Sequence, residues 1–175
     1  GPPGRSHFMI DILSRERLTE IFDGVIREIT RQVVGVNLSP GELSSAGGRY
    51  TVYIKFDDHL GTGLSFCAER AVFIRVAQCM IMEEDISPED MEAVAQEYLN
   101  ILCGHIAARL FPDTKTPVRF SVPAFYPGRY VPEGYAEHIV LTYTSDQQES
   151  AQLIHCVPAE GAYGAAAWKQ TKGVD

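Results

Sequence analysis

The 175-residue chain has no apolar run approaching the ~20 residues that span a bilayer, no C-x-x-C pair and no block of basic residues. Each lack removes a class of function. Without a long apolar segment, or a charged-then-apolar leader at its start, the chain is expected to act in the cytoplasm and away from a membrane. Its 15 Lys and Arg are scattered singly against 23 Asp and Glu, for a net charge of -8, so a phosphate backbone would be repelled and no nucleic-acid partner is expected. The four cysteines, Cys67, Cys79, Cys103 and Cys156, lie far apart, and no two ligands among them and the five histidines have finger-like spacing. They are read as reduced and mostly packing residues, and no metal site is expected in this chain.

What is present is the balance of an ordinary folded domain, 45% apolar and 22% charged. The opening stretch GPPGRSHF, residues 1–8, reads as an expression remnant, residues 9–157 as one domain, and the Ala- and Gly-rich segment 158–175 as a flexible tail with Trp168 unassigned. After Ser14, a helix cap, residues Leu18, Ile21, Phe22, Val25, Ile26, Ile29 and Val33 recur at helical spacing, predicting a helix to about Val34. Residues 35–48 carry no period and read as a loop or a short irregular strand. RYTVYIKFDD alternates as a half-buried strand, with GTGLSFCA as its hairpin partner. A second helix is expected from about Glu69 to Met82, carrying Ala71, Phe73, Ile74, Ala77, Met80 and Ile81. A third begins at Ser87-Pro88 with Asp90 completing the cap, and is expected to stop near Phe111 before Pro112. VRFSVPAFY, EHIVLTYTSD and SAQLIHCV then look extended. The order predicts an α+β fold, long helices packed on a largely antiparallel sheet.

Within the third helix, EYLNILCG places Glu97 and Asn100 side by side on the surface. Their stripe continues through Asp90, Ala93, Gly104, Ala107, Ala108 and Phe111, opposite an apolar stripe of Met91, Val94, Ala95, Tyr98, Leu99, Leu102, Ile106 and Leu110. A solvated helix face is ordinarily filled with Lys, Glu, Gln and Arg. Here Ala93, Gly104, Ala107 and Ala108 make a nearly bare strip around one carboxylate and one carboxamide. Two readings fit: the strip admits a partner surface, or it packs against another element of the same chain. With no nucleophile placed beside them, the pair does not suggest covalent catalysis. Asn can donate and accept hydrogen bonds and so orient a water, and Glu can grip a cation, chemistry suited to completing another protein's active site. His105 and Arg109 border the strip as single residues, and the acidic run Glu83, Glu84, Asp85 reads as a solvated turn.

E-x-x-N-x-x-x-G in the middle of a long helix, with this order of elements around it, resembles the CheX branch of the CheC/CheX/FliY chemotaxis phosphatases over about residues 9–157. The resemblance implies a CheC/CheX-like fold and a protein aspartyl-phosphate phosphatase acting on a phosphorylated CheY-like response regulator. It implies catalytic roles for Asn100, aligning the attacking water, and Glu97, binding the regulator's active-site lysine. Ala93, Gly104, Ala107 and Ala108 would form the partner-facing strip. Any Mg2+ would belong to the regulator, and the chain would form a homodimer by joining sheets. CheC-type members have a second E-x-x-N in the first helix; the nearest match here, Glu20 to Asp23, ends in Asp, so one site is expected. A non-catalytic adaptor for a response regulator and a dimeric scaffold whose small-residue face is internal remain the alternatives.

Overall fold

The structure, a computed structural model, describes residues 13–44, 47–57 and 61–159. The expected remnant at residues 1–8 and Trp168 lie outside the described residues. In chain order the elements are α1 (Arg15–Val34), β1 (Leu38–Pro40), β2 (Arg49–Lys55), β3 (Gly63–Glu69), α2 (Arg70–Ile81), α3 (Pro88–Thr114), β4 (Ala124–Pro127), β5 (Tyr135–Ser145) and β6 (Ser150–Pro158). The strands form one sheet in the order β1-β5-β6-β3-β2-β4, and every neighbouring pair is antiparallel. The α+β expectation is met.

The local causes are mostly those visible in the sequence. Ser14 accepts a hydrogen bond from the Arg17 amide and caps α1, Ser87 does the same for α3 through Asp90, and Pro88 occupies the first turn. α1 ends at Gly35, whose φ of 69° is left-handed and whose amide bonds back to the Arg31 carbonyl. Its buried stripe runs from Leu18 to Ile29, as read, and then takes Thr30 and Val34, leaving Val33 at the core's margin. Thr30 is buried because its hydroxyl lies 2.6 Å from that of Tyr98 on α3, a polar pair sealed between two helices.

Three details differ from the sequence reading. Pro112 does not stop α3, which runs on to Thr114. A proline so near the C-terminus removes a single i to i-4 hydrogen bond. Thr114 is buried with its hydroxyl donating to the Thr116 carbonyl, and the Lys115 amide closes the helix on Phe111 at 2.8 Å. On α2 the buried residues are Val72, Phe73, Val76 and Ala77, while Ala71 is exposed. Pro158, read as the first residue of the tail, is still in β6, and the Ala159 amide donates to the Gly134 carbonyl; residues 160–175 lie outside the described residues.

One face of the sheet carries the three helices over a core of Phe22, Val52, Ile54, Phe66, Phe73, Tyr98 and Leu99. The other face is closed by the connection between β4 and β5. There the Tyr130 amide donates to the Thr51 hydroxyl, the Ser65 hydroxyl to the Tyr130 carbonyl, and Arg129 to Gln152 and Glu137. β3 and β6 are consequently buried on both faces. α3 packs against both other helices and against β2 and β4.

Candidate functional site

α3 is unlike α1. α1 sets an apolar side against a side of long polar residues, whereas α3 sets its apolar side against a face of small residues. On its core face Met91, Val94, Ala95, Tyr98, Leu99, Leu102, Cys103, Ile106 and Leu110 are buried. The opposite face is open. Ala93, Glu97, Gly104 and Ala108 are exposed, and Asn100 and Ala107 are half-buried. The structure therefore brings the six sequence-predicted site residues onto one solvent-facing strip, and no neighbouring element of the described chain covers it.

Gly104 makes the point sharply. A Cβ built there would meet nothing within 4 Å, so close packing inside this chain does not account for a residue that costs the helix about 1 kcal/mol relative to Ala. Among the described residues, neither Glu97 nor Asn100 has a side-chain hydrogen-bond or ion-pair partner. A carboxylate and a carboxamide thus stand beside each other with their bonding capacity unspent.

The helix that presents them is braced on both sides. Toward the sheet, Gln96 Nε2 donates to the Pro123 carbonyl at 3.1 Å, just before β4. Toward α1, Arg109 donates to Glu28 at 2.6 Å and holds that carboxyl below the usual carboxylate range. Gly24 leaves room for the arginine: a Cβ there would lie 3.1 Å from Nη1. Arg109 is thereby a tie between helices rather than a free cation on the strip, and His105 is exposed at the strip's border. Gln96 was not singled out by its sequence, although its position one turn before Asn100 is a signal for a brace.

The weaker match on α1 is occupied otherwise. Asp23 Oδ1 accepts a hydrogen bond of 2.6 Å from the buried Tyr143 hydroxyl, and its other oxygen lies 3.6 Å from Arg27. Glu20 is exposed, 3.7 Å from Arg17. Cys67, Cys103 and Cys156 are buried, which pushes their thiols up, that of Cys156 to about 12, and Cys79 is exposed. Among the described residues no group of three or more His, Cys, Asp or Glu could hold a metal ion, and no helix is long and apolar enough to cross a membrane.

Comparison with solved structures places this architecture among chemotaxis proteins. A CheX from Vibrio vulnificus superposes with a TM-score of 0.67 at 16% identity, covering 83% of this chain and 99% of that one. A CheX from Desulfovibrio desulfuricans gives 0.63 at 14% identity, covering 81% and 99%. The CheX-CheY-BeF3-Mg2+ complex from Borrelia burgdorferi gives 0.59 at 15% identity, covering 83% and 98%. At such identities the likeness is one of fold. No curated protein sequence matches the chain. The sequence profile described as chemotaxis phosphatase CheX, however, matches residues 50–144, more than half of the chain and the span that contains all of α3. By that match, on a fold shared with solved CheX proteins, the chain belongs to the CheX family of chemotaxis phosphatases.

Proposed function

We propose that this protein hydrolyses the aspartyl-phosphate of a CheY-like response regulator, with Asn100 orienting the attacking water and Glu97 gripping the regulator's active-site lysine. The observation that carries the reading is the uncovered strip of α3, where the only prominent polar groups at its centre are an exposed carboxylate and a half-buried carboxamide without partners in the described chain. In the Borrelia burgdorferi complex, a protein of the same fold is bound to CheY with BeF3 and Mg2+.

The reaction asks little covalent chemistry of this chain. A water oxygen bonds to phosphorus as the bond from phosphorus to the aspartyl oxygen breaks, releasing phosphate and a free carboxylate on the regulator. Phosphoryl transfer of this kind is governed by positioning and electrostatics. Asn100 can accept a hydrogen bond from the water through Oδ1 and donate one through Nδ2 to a phosphoryl oxygen, so it needs no shifted pKa. Its partial burial limits its rotamers before the partner arrives. Glu97, one turn earlier, adds a charge-assisted contact that fixes the register. Mg2+ would be held by the regulator and would neutralise charge on the phosphoryl oxygens.

The test is the decay of phosphorylated CheY-like regulators with and without the purified protein. Unaltered decay of every regulator of the same organism rules catalysis out, and binding without faster decay leaves a non-catalytic adaptor. Gly104 offers a second test in which two readouts move in opposite directions. Gly104→Ala is expected to stabilise the fold by about 1 kcal/mol, seen as a higher melting temperature, because the new methyl meets nothing in this chain. It is also expected to weaken action on the regulator severalfold, because the partner must approach the helix backbone there; equal activity would mean the strip is not the docking face.

The proposal includes a homodimer joined along a sheet edge. β4 pairs with β2 on one side and ends the sheet on the other, which leaves backbone groups available for a second copy. A single mass by light scattering equal to one chain, across micromolar concentrations, would exclude it.

A further inference from the structure

We infer that Phe111 is the apolar anchor that holds the activated receiver domain against α3, so that the regulator lies lengthwise along the strip, Asn100 engaging its active site and Phe111 its flank. This rests on the response-regulator reading given above and adds the residue that would set affinity and partner choice.

Four large apolar side chains are exposed among the described residues: Met82, Phe111, Val122 and Val140. Phe111 is the one aromatic residue of the four and the one that lies on α3, with 47% of its surface exposed. Eleven residues separate it from Asn100, which is three turns plus about 20°, so the two share a line along the helix about 16 Å apart. Between them on that line stand Gly104, Ala107 and Ala108, none long enough to hold a partner surface away. A partner that admits Asn100 into a cleft must therefore also meet the ring.

The stability of α3 gives no reason for that ring. The last turn of a helix favours basic side chains, which complement its negative end, and α3 has none there. The backbone beneath Phe111 is nevertheless fixed on three sides. Thr114 is buried, the Lys115 amide returns to the Phe111 carbonyl, and Asp113 lies 3.6 Å from Arg17 on α1. An aromatic side chain on a rigid turn presents a large contact area at small entropic cost, the usual character of an interface anchor. A patch of ordinary interface size, about 800 Å² per partner, is roughly 30 Å across; centred on Gly104, it reaches both Asn100 and Phe111.

The experiment compares the full chain with Phe111→Ala and Phe111→Leu, using CheY-type receiver domains activated with beryllofluoride and Mg2+ as the binding probe and their phosphorylated forms as substrate. Phe111→Ala is expected to raise both Kd and KM about tenfold or more, with kcat at saturation and melting temperature nearly unchanged, and Phe111→Leu to recover most of the loss. Weak binding by Phe111→Ala to a regulator that the wild type binds but does not dephosphorylate still supports the anchor while removing the catalytic reading. Wild-type dephosphorylation with Kd and KM unmoved in Phe111→Ala overturns the anchor and leaves catalysis standing. A melting temperature lowered as by loss of a core ring also overturns it, since the ring would then be covered by this chain itself. A wild type that binds no regulator removes both.

Discussion

Asn100→Ala is expected to lower the maximal rate of regulator dephosphorylation by about a hundredfold or more, the scale of removing one well-placed transition-state group. The side chain is half-buried and without a hydrogen-bond partner in the described chain, so its loss should leave the melting temperature almost unmoved. That separates a chemical role from a structural one. Binding of a beryllofluoride-activated receiver domain should also survive, because docking is spread over the strip and over Glu97. Asn100→Asp is the stricter variant. It keeps the size but replaces the amide donor with a negative charge facing a phosphoryl group, and should be at least as inactive as the alanine. Glu97→Ala should act the other way round, raising KM through the lost grip on a lysine while kcat falls less. The reading fails if Asn100→Ala dephosphorylates at the wild-type rate, or if its activity loss follows only from weaker binding.

The strip was legible in the sequence because helical geometry alone assigns each residue of α3 a direction, and because small residues on an outward face are visible without coordinates. Whether that face is covered was not legible, since cover comes from elements distant in sequence; the open space beyond Gly104 answers it. α2 shows where periodicity fails. Its residues Val72, Phe73, Ile74, Val76, Ala77, Met80 and Ile81 are apolar nearly all round, so no single face stands out, and packing chose Val72 and Val76 over Ala71. The closure of the sheet's second face was also hidden. Ser65, Thr51 and Gln152 look like solvent-facing strand positions, and only the strap through Arg129 and Tyr130, 23 to 79 residues away, supplies the partners that allow them to be buried. Asp23 is a like case: as a defective E-x-x-N it could be read from the sequence, but its bond to Tyr143, 120 residues on, could not.

The largest effect on stability is expected from acid, through two histidines that the sequence offered no reason to pair. His138 sits in an irregularity of β5, skipped between the pairings of Glu137 and Ile139 with β6, and its Nδ1 lies 3.1 Å from Nδ1 of His155. One proton between the two nitrogens makes a hydrogen bond; a second would set two N–H groups head to head. His155 is fully buried against Phe22, and among the described residues its Nε2 has no partner, so a charged ring there would carry a buried N–H with nothing to accept it. Burial, aided for His138 by the nearby Arg15, pushes His138 down to about 4 and His155 to about 3. An unfolded chain takes up protons at both positions near pH 6.5, which the folded chain refuses. Stability is therefore complete above pH 6.5 and is lost as pH falls toward 4, by about 1.4 kcal/mol per pH unit for each histidine that stays neutral in the fold. By pH 4.5 the pair should account for on the order of 5 kcal/mol, a large part of what a domain of this size has. The carboxylates held low by arginines, Glu28, Glu137 and Asp146, stabilise the fold fully above the usual carboxylate range and lose that contribution only as pH falls below it, so the window from pH 6.5 to 5 isolates the histidines. Urea unfolding across that window should show a falling midpoint in the wild type and a nearly flat one in the His138→Leu/His155→Leu double variant. A wild-type midpoint that is the same at pH 7 and pH 5, or a double variant that keeps the wild-type slope, would show that the pair is not the acid-sensitive element of the fold.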